Sequence, residues 1–326
     1  MIGFLNCLLK QETPGLDCEF LIADGMSEDG TRETLQSYRL RYPRIRIIDN
    51  PERIVSTGLN RAILAAEGEI IVRMDVHTEY ADDYIASCVR NLLKTGADNV
   101  GGPMRNRGTG YVGRAIAGAF HSPISCGGAR FHQEDYEGYV DTVTYGCWRK
   151  STLLQVGLFD TTLVRNQDDE LNLRITRGGG KIWQSPSIRM AYHPRASLKH
   201  LFVQYFQYGF WKVAVIRKHK QPASLRHLAP GTFGLGMTIL PAVALVLHSA
   251  QLWKLWWFLA ALYVLACVAG ACTVANRRGW ELLPILPIVF ATYHFAYGIG
   301  FITGLAVGKR RQQNQIAGNA FTAVVR

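Results

Sequence analysis

Residues 19–49 read EFLIADGMSEDGTRETLQSYRLRYPRIRIID, and this stretch decides the fold. An apolar run at residues 19–23 ends in the turn-rich segment DGMSEDGT, and the helical spacing that follows stops at Pro43. A second apolar run occupies residues 44–49. The stretch therefore predicts a strand, a loop, a helix and a second strand.

The alternation continues along the chain. GLNRAILAAEG at residues 58–68 predicts a helix closed by Gly68, and EIIVRMD at residues 69–75 predicts a third strand. Strands that alternate with helices favour a doubly wound, mostly parallel α/β sheet, whose ligands bind beyond the carboxyl ends of the strands. Asp24 and Asp75 lie at two such ends, although an aspartate there is also typical of a simple turn.

The composition indicates a protein with a large core and an excess of basic residues. The chain has 326 residues, 48% of them hydrophobic, and a formal net charge of +11. Its basic residues cluster beside apolar runs rather than along a groove lined with aromatic side chains. This placement argues against nucleic-acid binding and for contact with a membrane.

Three apolar segments near the C-terminus are candidates to cross a bilayer. They occupy residues 231–250, 255–275 and 282–308. The sequence therefore predicts an integral membrane protein. Its third segment contains Pro284 and Pro287, which favour an interruption of the helix.

The basic residues that flank these segments predict their orientation. They lie at residues 217–227, at Arg277 and Arg278, and at residues 309–311, and the bias of Lys and Arg places all three groups in the cytoplasm. Three full crossings would put the last group outside. We therefore expect the third segment to be re-entrant or a pair of half-helices, and the number of crossings stays open.

The sequence DVHTEY, which begins at Asp75, suggests a metal site. If the strand continues, Asp75 and His77 project to the same side. A carboxylate and a neutral imidazole are ligands for Mg²⁺ and, somewhat more favourably, for Mn²⁺. A histidine at the end of a strand is, however, more often a surface residue than a ligand.

Acidic residues precede an apolar helical pattern in RNQDDELNLRI, residues 165–175. Asp168, Asp169 and Glu170 would lie at the start of the helix, where its dipole stabilises a carboxylate by roughly 0.3–1 kcal/mol. The cluster is therefore typical of a well-capped helix. It also offers a general base, because a neighbouring negative charge raises the pKa of a carboxyl group.

Several separated motifs occur in the order seen in a known family. They are DGMSEDGT, GLNRAILAAEGEIIVRMD, GGPM, DTVTYGCWRKSTLLQVGLFD, NQDDELNLRI and QYFQYGFWK. This order resembles the family 2 glycosyltransferases, in particular the inner-membrane enzymes of bacterial exopolysaccharide (succinoglycan-type) biosynthesis. The resemblance covers residues 1–212. It implies the GT-A nucleotide-diphospho-sugar transferase fold, followed here by C-terminal transmembrane helices.

The resemblance implies roles for residues of a nucleotide-sugar site. Asp24 corresponds to the acid that hydrogen-bonds the nucleotide base, and Asn60 and Arg61 lie at the start of the helix that lines that pocket. Asp75 and His77 occupy the position of the family's D-x-D motif, which binds the nucleotide sugar and a divalent metal. Because a histidine replaces the second carboxylate, the identity of the metal stays open.

The resemblance also implies a catalytic base. Asp168 corresponds to the family's general base, with Asp169 and Glu170 beside the acceptor, while Gln167 replaces a glutamate of the motif. Asp168 would take the proton of an acceptor hydroxyl as that oxygen attacks the anomeric carbon, with inversion of configuration. We expect a donor that joins uridine diphosphate to a hexose, and a lipid-linked saccharide acceptor.

YGCWRKS, residues 145–151, is expected to form the floor of the acceptor site. Trp148 is equally compatible with stacking on a sugar and with a place in the core. Arg149 is available to a phosphate.

The aromatic run at residues 199–220 is typical of an interfacial amphipathic helix. It carries Gln207 and Trp211, which match the Q-x-x-R-W signature of processive relatives except that Phe210 occupies the arginine position. We therefore expect both residues at the acceptor, and the addition of a single sugar rather than the growth of a long chain.

The predicted domains are a glycosyltransferase domain at residues 1–198, an interfacial helix and basic linker at 199–229, a transmembrane region at 230–308 and a basic tail at 309–326. Relatives open with an apolar strand that is absent here, so we expect either an upstream start or a fragment. The predicted location is a bacterial inner membrane, with the catalytic domain in the cytoplasm.

Two rival functions stay open. The chain could be a catalytically impaired, glycosyltransferase-like membrane partner that only binds the acceptor. It could also be a small transporter or scaffold, although the predicted spans carry few ionisable residues beyond His248 and His294.

Overall fold

The structure, a computed structural model, describes residues 1–194, 196–222, 224 and 228–307. These residues form two compact units. One comprises Met1–Arg105 with Arg130–Tyr192, and the other comprises Asn106–Ala129 with the chain from His193 onward. The predicted tail and part of the predicted basic linker lie outside the described residues.

The first unit combines strands with helices, and the second is mainly helical. The strands are β1 (Phe20–Asp24), β2 (Ile45–Asp49), β3 (Ile70–Val72), β4 (Thr78–Tyr80), β5 (Asn99–Gly101), β6 (Arg105–Asn106), β7 (Gly138–Val140), β8 (Cys147–Arg149), β9 (Ile182–Gln184) and β10 (Met190–Tyr192). The helices are α1 (Ile2–Leu9), α2 (Thr31–Arg41), α3 (Val55–Ala65), α4 (Tyr84–Thr95), α5 (Gly110–Phe120), α6 (Pro123–Cys126), α7 (Lys150–Val156), α8 (Gln167–Arg177), α9 (Leu198–His219), α10 (Ala229–Val246), α11 (Ala250–Arg278) and α12 (Leu286–Ala306).

The strands form three sheets of mixed direction. Strands β1 and β2 are parallel, with Asp24 opposite Asp49 at their carboxyl ends. A five-stranded sheet has the order β3-β8-β5-β9-β7, and a three-stranded sheet has the order β4-β10-β6. In the five-stranded sheet only β5 and β9 run parallel. The α/β class is confirmed, but the sheet is mixed rather than mostly parallel, because strict strand-helix alternation ends after β3.

The elements predicted from residues 19–49 are present. Strand β1 buries Phe20 and Ile22 on one face, and helix α2 ends two residues before Pro43. Helix α3 begins earlier than predicted and ends before Gly68, which does not cap it. Gly58 lets α3 approach its neighbours, since a Cβ there would lie 2.9 Å from Nδ2 of Asn50.

A hydrophobic cluster beneath α8 fixes the position of that helix. Its fully buried members come from the sheet and from three helices, and they include Ile63, Trp148, Leu153, Leu171 and Ile182. Large-to-small changes in such a cluster typically cost about 2–5 kcal/mol. The start of α8 is therefore held by the core and not by surface contacts alone.

The second unit contains three helices that are long and apolar enough to cross a membrane, namely α10, α11 and α12. The third is continuous rather than a pair of half-helices. Pro284 precedes it and Pro287 lies in its first turn, where a missing N–H breaks no helical hydrogen bond. Residues 106–129 belong to this unit, an insertion that the sequence pattern did not indicate.

Candidate active site

Two predicted acids, Asp75 and Asp168, meet on one guanidinium group. Arg73 follows the end of β3 and donates from Nε and Nη2 to the two carboxylate oxygens of Asp75, at 2.8 and 3.0 Å. Its Nη1 donates to Oδ1 of Asp168. The Arg73 side chain is 5% exposed, whereas each aspartate side chain is 34% exposed. A buried cation thus joins two acids that remain open to solvent.

The charges of this cluster shift its proton equilibria. Burial alone would lower the pKa of Arg73, but the charges of Asp168 and Asp75 outweigh it, so the pKa is raised and the guanidinium stays protonated. Burial raises the pKa of Asp168, Arg73 lowers it, and Asp75 and Asp169 raise it again. The net pKa of Asp168 lies above the ordinary value, which makes it a stronger proton acceptor than a typical aspartate.

Aromatic rings enclose the guanidinium group. The centroids of the Tyr145 and Phe159 rings lie 5.5 and 6.0 Å from Cζ of Arg73. Tyr145 has a left-handed backbone, with φ of 64°, and its hydroxyl lies 2.6 Å from Oγ1 of Thr78. The N–H of Arg73 donates to the carbonyl of Gly146 at 3.1 Å. Backbone and rings together hold Arg73 in place.

The segment after Arg73 is a turn. The N–H of Thr78 donates to the carbonyl of Asp75 at 3.2 Å, so Val76 and His77 occupy the centre of the turn and are exposed. The prediction that Asp75 and His77 alternate along a strand is therefore wrong in its geometry, because β3 already ends at Val72. Both residues still lie at the same edge of the fold, within one turn.

The first turn of α8 presents Asp168 to Arg73. Asn166 caps this helix in a left-handed conformation, with φ of 60°, and its carbonyl accepts the N–H of Glu170 at 3.0 Å. Glu170 is fully buried and pairs with Arg174 at 2.8 Å. The prediction that Glu170 binds the acceptor is therefore wrong, because its carboxylate lies in the core.

A buried polar network fixes the rotation of α8. Asn99 donates from Nδ2 to Oδ1 of Asn172, and Asn172 donates from Nδ2 to Oγ1 of Thr142, both at 2.8 Å. The hydroxyl of Thr142 also lies 3.4 Å from Oδ1 of Asp169. Because buried amides must keep their hydrogen bonds, the network orients the face of α8 that carries Asp168 and Asp169.

Asp24 lies in a second acidic cluster at the ends of β1 and β2. Its carboxylate accepts from Nη1 of Arg32 at 3.0 Å and from the N–H of Ser27 at 3.3 Å. Arg32 also donates from Nη2 to Asp49 at 2.7 Å. The carboxylate of Asp24 is thus held at the predicted edge of the sheet.

Asn60 and Arg61 make contacts within the protein. Asn60 donates from Nδ2 to the carbonyl of Phe159 at 2.8 Å, and its Oδ1 accepts the N–H of the same residue at 2.9 Å. Arg61 pairs with Glu52 at 2.8 Å. Asn60 therefore ties α3 to the segment that carries Phe159, while contact of either residue with a nucleotide stays a prediction.

Trp148 takes the core position that the sequence left open, and contact of Arg149 with a phosphate stays a prediction. Trp148 is 2% exposed and packs edge-on against Phe159, so it cannot offer a ring face to a sugar. Arg149 lies opposite Ile70 in the antiparallel register of β3 and β8, at the end of β3 that is far from Arg73. The structure places the first in the core and does not bring the second to the acidic cluster.

Gln207 and Trp211 lie on α9 in the second unit. They are 1% and 2% exposed, and neither presents a large surface. Their predicted contact with the acceptor stays a prediction.

Comparison with known proteins identifies the family. A family model described as "Glycosyl transferase family 2" matches residues 2–156. Over 310 residues the chain is 31% identical to the succinoglycan biosynthesis protein ExoA of Rhizobium meliloti (strain 1021). The match covers 93% of this chain and 90% of that protein. The chain belongs to the family 2 glycosyltransferases.

Two further proteins resemble this glycosyltransferase. One is the dolichyl N-acetyl-alpha-D-glucosaminyl phosphate 3-beta-D-2,3-diacetamido-2,3-dideoxy-beta-D-glucuronosyltransferase of Methanococcus voltae, 25% identical over 92% of this chain and 91% of that protein. The other is a crystal structure of S. aureus TarS 1-349, with a TM-score of 0.49 and 15% identity over 93% of this chain and 86% of that one. Family membership and the α/β architecture together establish a GT-A glycosyltransferase.

The glycosyltransferase has two candidate metal-ligand residues at its predicted metal position. Among the described residues, no group of three or more His, Cys, Asp and Glu side chains converges to hold an ion. Asp75 is partly exposed, its oxygens keep lone pairs besides those that accept from Arg73, and His77 is exposed. Two protein donors fit an ion that takes its other ligands from a diphosphate and from water, as Mg²⁺ commonly does.

Sequence reasoning missed Arg73, the residue at the centre of the site. The signal was present, because an arginine within the apolar run EIIVRMD is expected to be buried only if it is paired. It missed Arg32 for a different reason. Arginine in a polar helix is ordinary, and nothing local indicates that it joins two strand ends.

Proposed function

We propose that the chain is an inverting glycosyltransferase that moves one hexose from a uridine diphosphate donor to a lipid-linked acceptor in exopolysaccharide biosynthesis. The observation that carries the proposal is the convergence of Asp75 and Asp168 on the buried Arg73. These acids come from separate segments of the chain, and their carboxylates remain open to solvent. The similarity to a succinoglycan biosynthesis protein supports the acceptor class and the process.

Asp168 is the proposed general base. The acceptor oxygen forms a bond to the anomeric carbon while the bond from that carbon to the diphosphate breaks, and Asp168 takes the hydroxyl proton. Attack from the side opposite the leaving group inverts the configuration. The raised pKa of Asp168 suits this role, since a stronger base accepts the proton more readily.

Arg73 is a positioning residue in this reaction. Its fixed guanidinium orients the Asp168 carboxylate and balances part of the negative charge that two acids and a diphosphate would bring together. Asp24 is the proposed partner of the nucleotide base. Asp75 and His77 would hold a divalent ion, which would stabilise negative charge on the departing diphosphate.

Transfer of radiolabelled sugar to membrane lipid tests the proposal. A panel of nucleotide sugars is offered to membranes that contain the wild-type chain, Asp168→Asn or Asp82→Asn. Asp82 is an exposed acid of the same unit and is the matched control. Loss of the base is expected to slow transfer by about 10²–10⁴-fold, while Asp82→Asn retains the wild-type rate.

The same assay distinguishes the rival function. An impaired binding partner would retain the lipid acceptor without transferring sugar, whatever residue stands at position 168. Full transfer by Asp168→Asn would refute the assignment of the base, and a product that keeps the anomeric configuration of the donor would refute the single displacement.

A further inference from the structure

Helices α9 and α12 run side by side in the same direction. In the first half of each helix, the ring centroids of Tyr205 and Tyr293 lie 4.3 Å apart. At their ends, Arg217 donates to the carbonyls of Leu305 and Val307 at 2.8 and 2.7 Å. Residue numbers rise together along both helices, so the two form one parallel pair.

Glycines bring the backbones of this pair into contact. A Cβ on Gly209 would lie 2.1 Å from the carbonyl oxygen of Tyr297, and one on Gly300 would lie 2.0 Å from that of Phe206. Gly300 and Gly304 form a G-x-x-x-G motif, whose small residues allow close helix packing. The two helices must therefore share one orientation relative to a membrane.

Helices α10 and α11 form an antiparallel hairpin. The rings of Phe233 and Tyr263 lie 4.6 Å apart, and Nε1 of Trp256 donates to the carbonyl of Met237 at 3.1 Å. The 18 residues of α10 span about 27 Å at 1.5 Å per residue, close to the thickness of a bilayer core. Helix α11 exposes large apolar side chains that lipid could cover, among them Trp257, which is 64% exposed.

Helix α12 crosses the start of α10 instead of following its length. Phe295 lies against Phe233, with ring centroids 5.8 Å apart. Phe301, six residues later in α12, still lies beside the start of α10, because its ring would be 2.6 Å from a Cβ on Gly231. A third crossing parallel to α10 would bring Phe301 about six residues further along, near Ile239.

The charges of α9 agree with this geometry. Lys212 is buried near the middle of the helix, and Arg217, Lys218 and His219 end it. A lysine at the centre of a bilayer costs about 2.5–3.5 kcal/mol on insertion scales. A helix at the interface avoids that cost, because Lys212 then stays out of the bilayer centre and the basic side chains at the end of α9 can reach the headgroups.

We propose that the chain crosses the membrane twice, through α10 and α11, and that α9 and α12 lie together in the interface as a surface for the lipid headgroup layer. This arrangement puts the basic end of α9, Arg277 and Arg278 on one side, which the bias of Lys and Arg marks as cytoplasmic. Residues 247–249, between α10 and α11, then face the outside.

Protease digestion of right-side-out spheroplasts tests the number of crossings in the full chain. An epitope tag is attached after Arg326. Two crossings leave the tag inside, where it resists added protease until the membrane is permeabilised. Cleavage of the tag in sealed spheroplasts would show an odd number of crossings and overturn the proposal.

Cysteine labelling tests whether α9 lies in the interface. His248→Cys, Lys199→Cys and Lys218→Cys are treated with a membrane-impermeant thiol reagent, with the wild-type chain as the blank for its native cysteines. His248→Cys is expected to react in sealed spheroplasts, and both lysine variants only after permeabilisation. Reaction of Lys199→Cys and Lys218→Cys from opposite sides would show that α9 crosses, and would overturn the proposal.

Discussion

Two clusters in this molecule each join two aspartates through one arginine, yet they differ in burial. Arg73 is 5% exposed between Asp75 and Asp168, whereas Arg32 is 28% exposed and one of its partners, Asp49, is 56% exposed. Asp24, the other partner of Arg32, is only 2% exposed. Water and salt therefore screen the pair of Arg32 with Asp49 but not the carboxylate of Asp24. One cluster places a buried cation between two partly exposed acids, and the other places a partly exposed cation between a buried acid and an exposed one.

Arg73→Met is expected to have the largest effect, because it leaves two acids around a buried, apolar side chain. We expect transfer to be lost and the free energy of unfolding to fall by about 1–3 kcal/mol, because the two acids lose their shared donor but keep partial access to water. Urea unfolding of the detergent-solubilised protein measures the second effect. Arg73→Lys keeps the charge but loses the two-pronged contact with Asp75, so it should recover part of both properties. A wild-type unfolding midpoint for Arg73→Met would contradict the buried pairing.

Glu170→Gln separates stability from chemistry. Glu170 is fully buried and pairs with Arg174, away from the carboxylate of Asp168. Removal of this charge is expected to destabilise the fold by about 1–3 kcal/mol. The dependence of the transfer rate on pH should not change in the fraction of protein that remains folded. An altered pH profile would show that Glu170 belongs to the active site.

The dependence of the transfer rate on pH tests whether Asp168, in the Arg73 cluster, is the base. Asp168 accepts a proton only when ionised, and its pKa is raised, so the transfer rate should fall with decreasing pH at a higher pH than for an ordinary aspartate. Asp169→Asn removes a negative charge that contributes to this rise. Its acid limb should therefore move to lower pH in measurements of kcat/KM. A limb that stays in place, or moves upward, would argue against Asp168 as the titrating base.

Arg32→Met is expected to have the smallest effect on the transfer step. Added salt weakens the exposed pair with Asp49 in the wild type, so salt should reduce that part of the stability difference. The buried carboxylate of Asp24 also loses its cation, so the rest of the stability loss should persist at high salt. If Asp24 binds the nucleotide base, the KM for the donor should change more than kcat. A stability difference that does not depend on salt at all would contradict the exposed pairing of Arg32 with Asp49.

The sequence predicted the elements that depend on local patterns. Helix α2 stops near Pro43 because proline disfavours the helical conformation of the residue before it, and β1 is visible because a short apolar run ends in turn-forming residues. The three helices that could cross a membrane are visible because length and composition alone distinguish them. These features need no knowledge of distant residues.

The pairings within the site could not be predicted in this way. Arg73 and Asp168 are 95 positions apart, and no spacing indicates that they meet. The sequence pattern around Trp148 fitted both a sugar-stacking site and the core, and only its packing against Phe159 distinguishes the two. The turn at Asp75 is fixed by hydrogen bonds to Thr78 and Tyr80, which also depend on tertiary contacts.

The left-handed backbone of Tyr145 sets a limit on how this centre can be altered. A bulky residue in that conformation costs roughly 1–3 kcal/mol, and glycine would relieve it. Glycine would also remove the ring beside Arg73 and the hydroxyl beside Thr78. Tyr145 is only 7% exposed, and loss of a large buried aromatic side chain typically costs about 3–5 kcal/mol, which exceeds the strain relieved. The strained conformation is therefore retained because the ring that it places beside Arg73 stabilises the fold by more than the backbone loses.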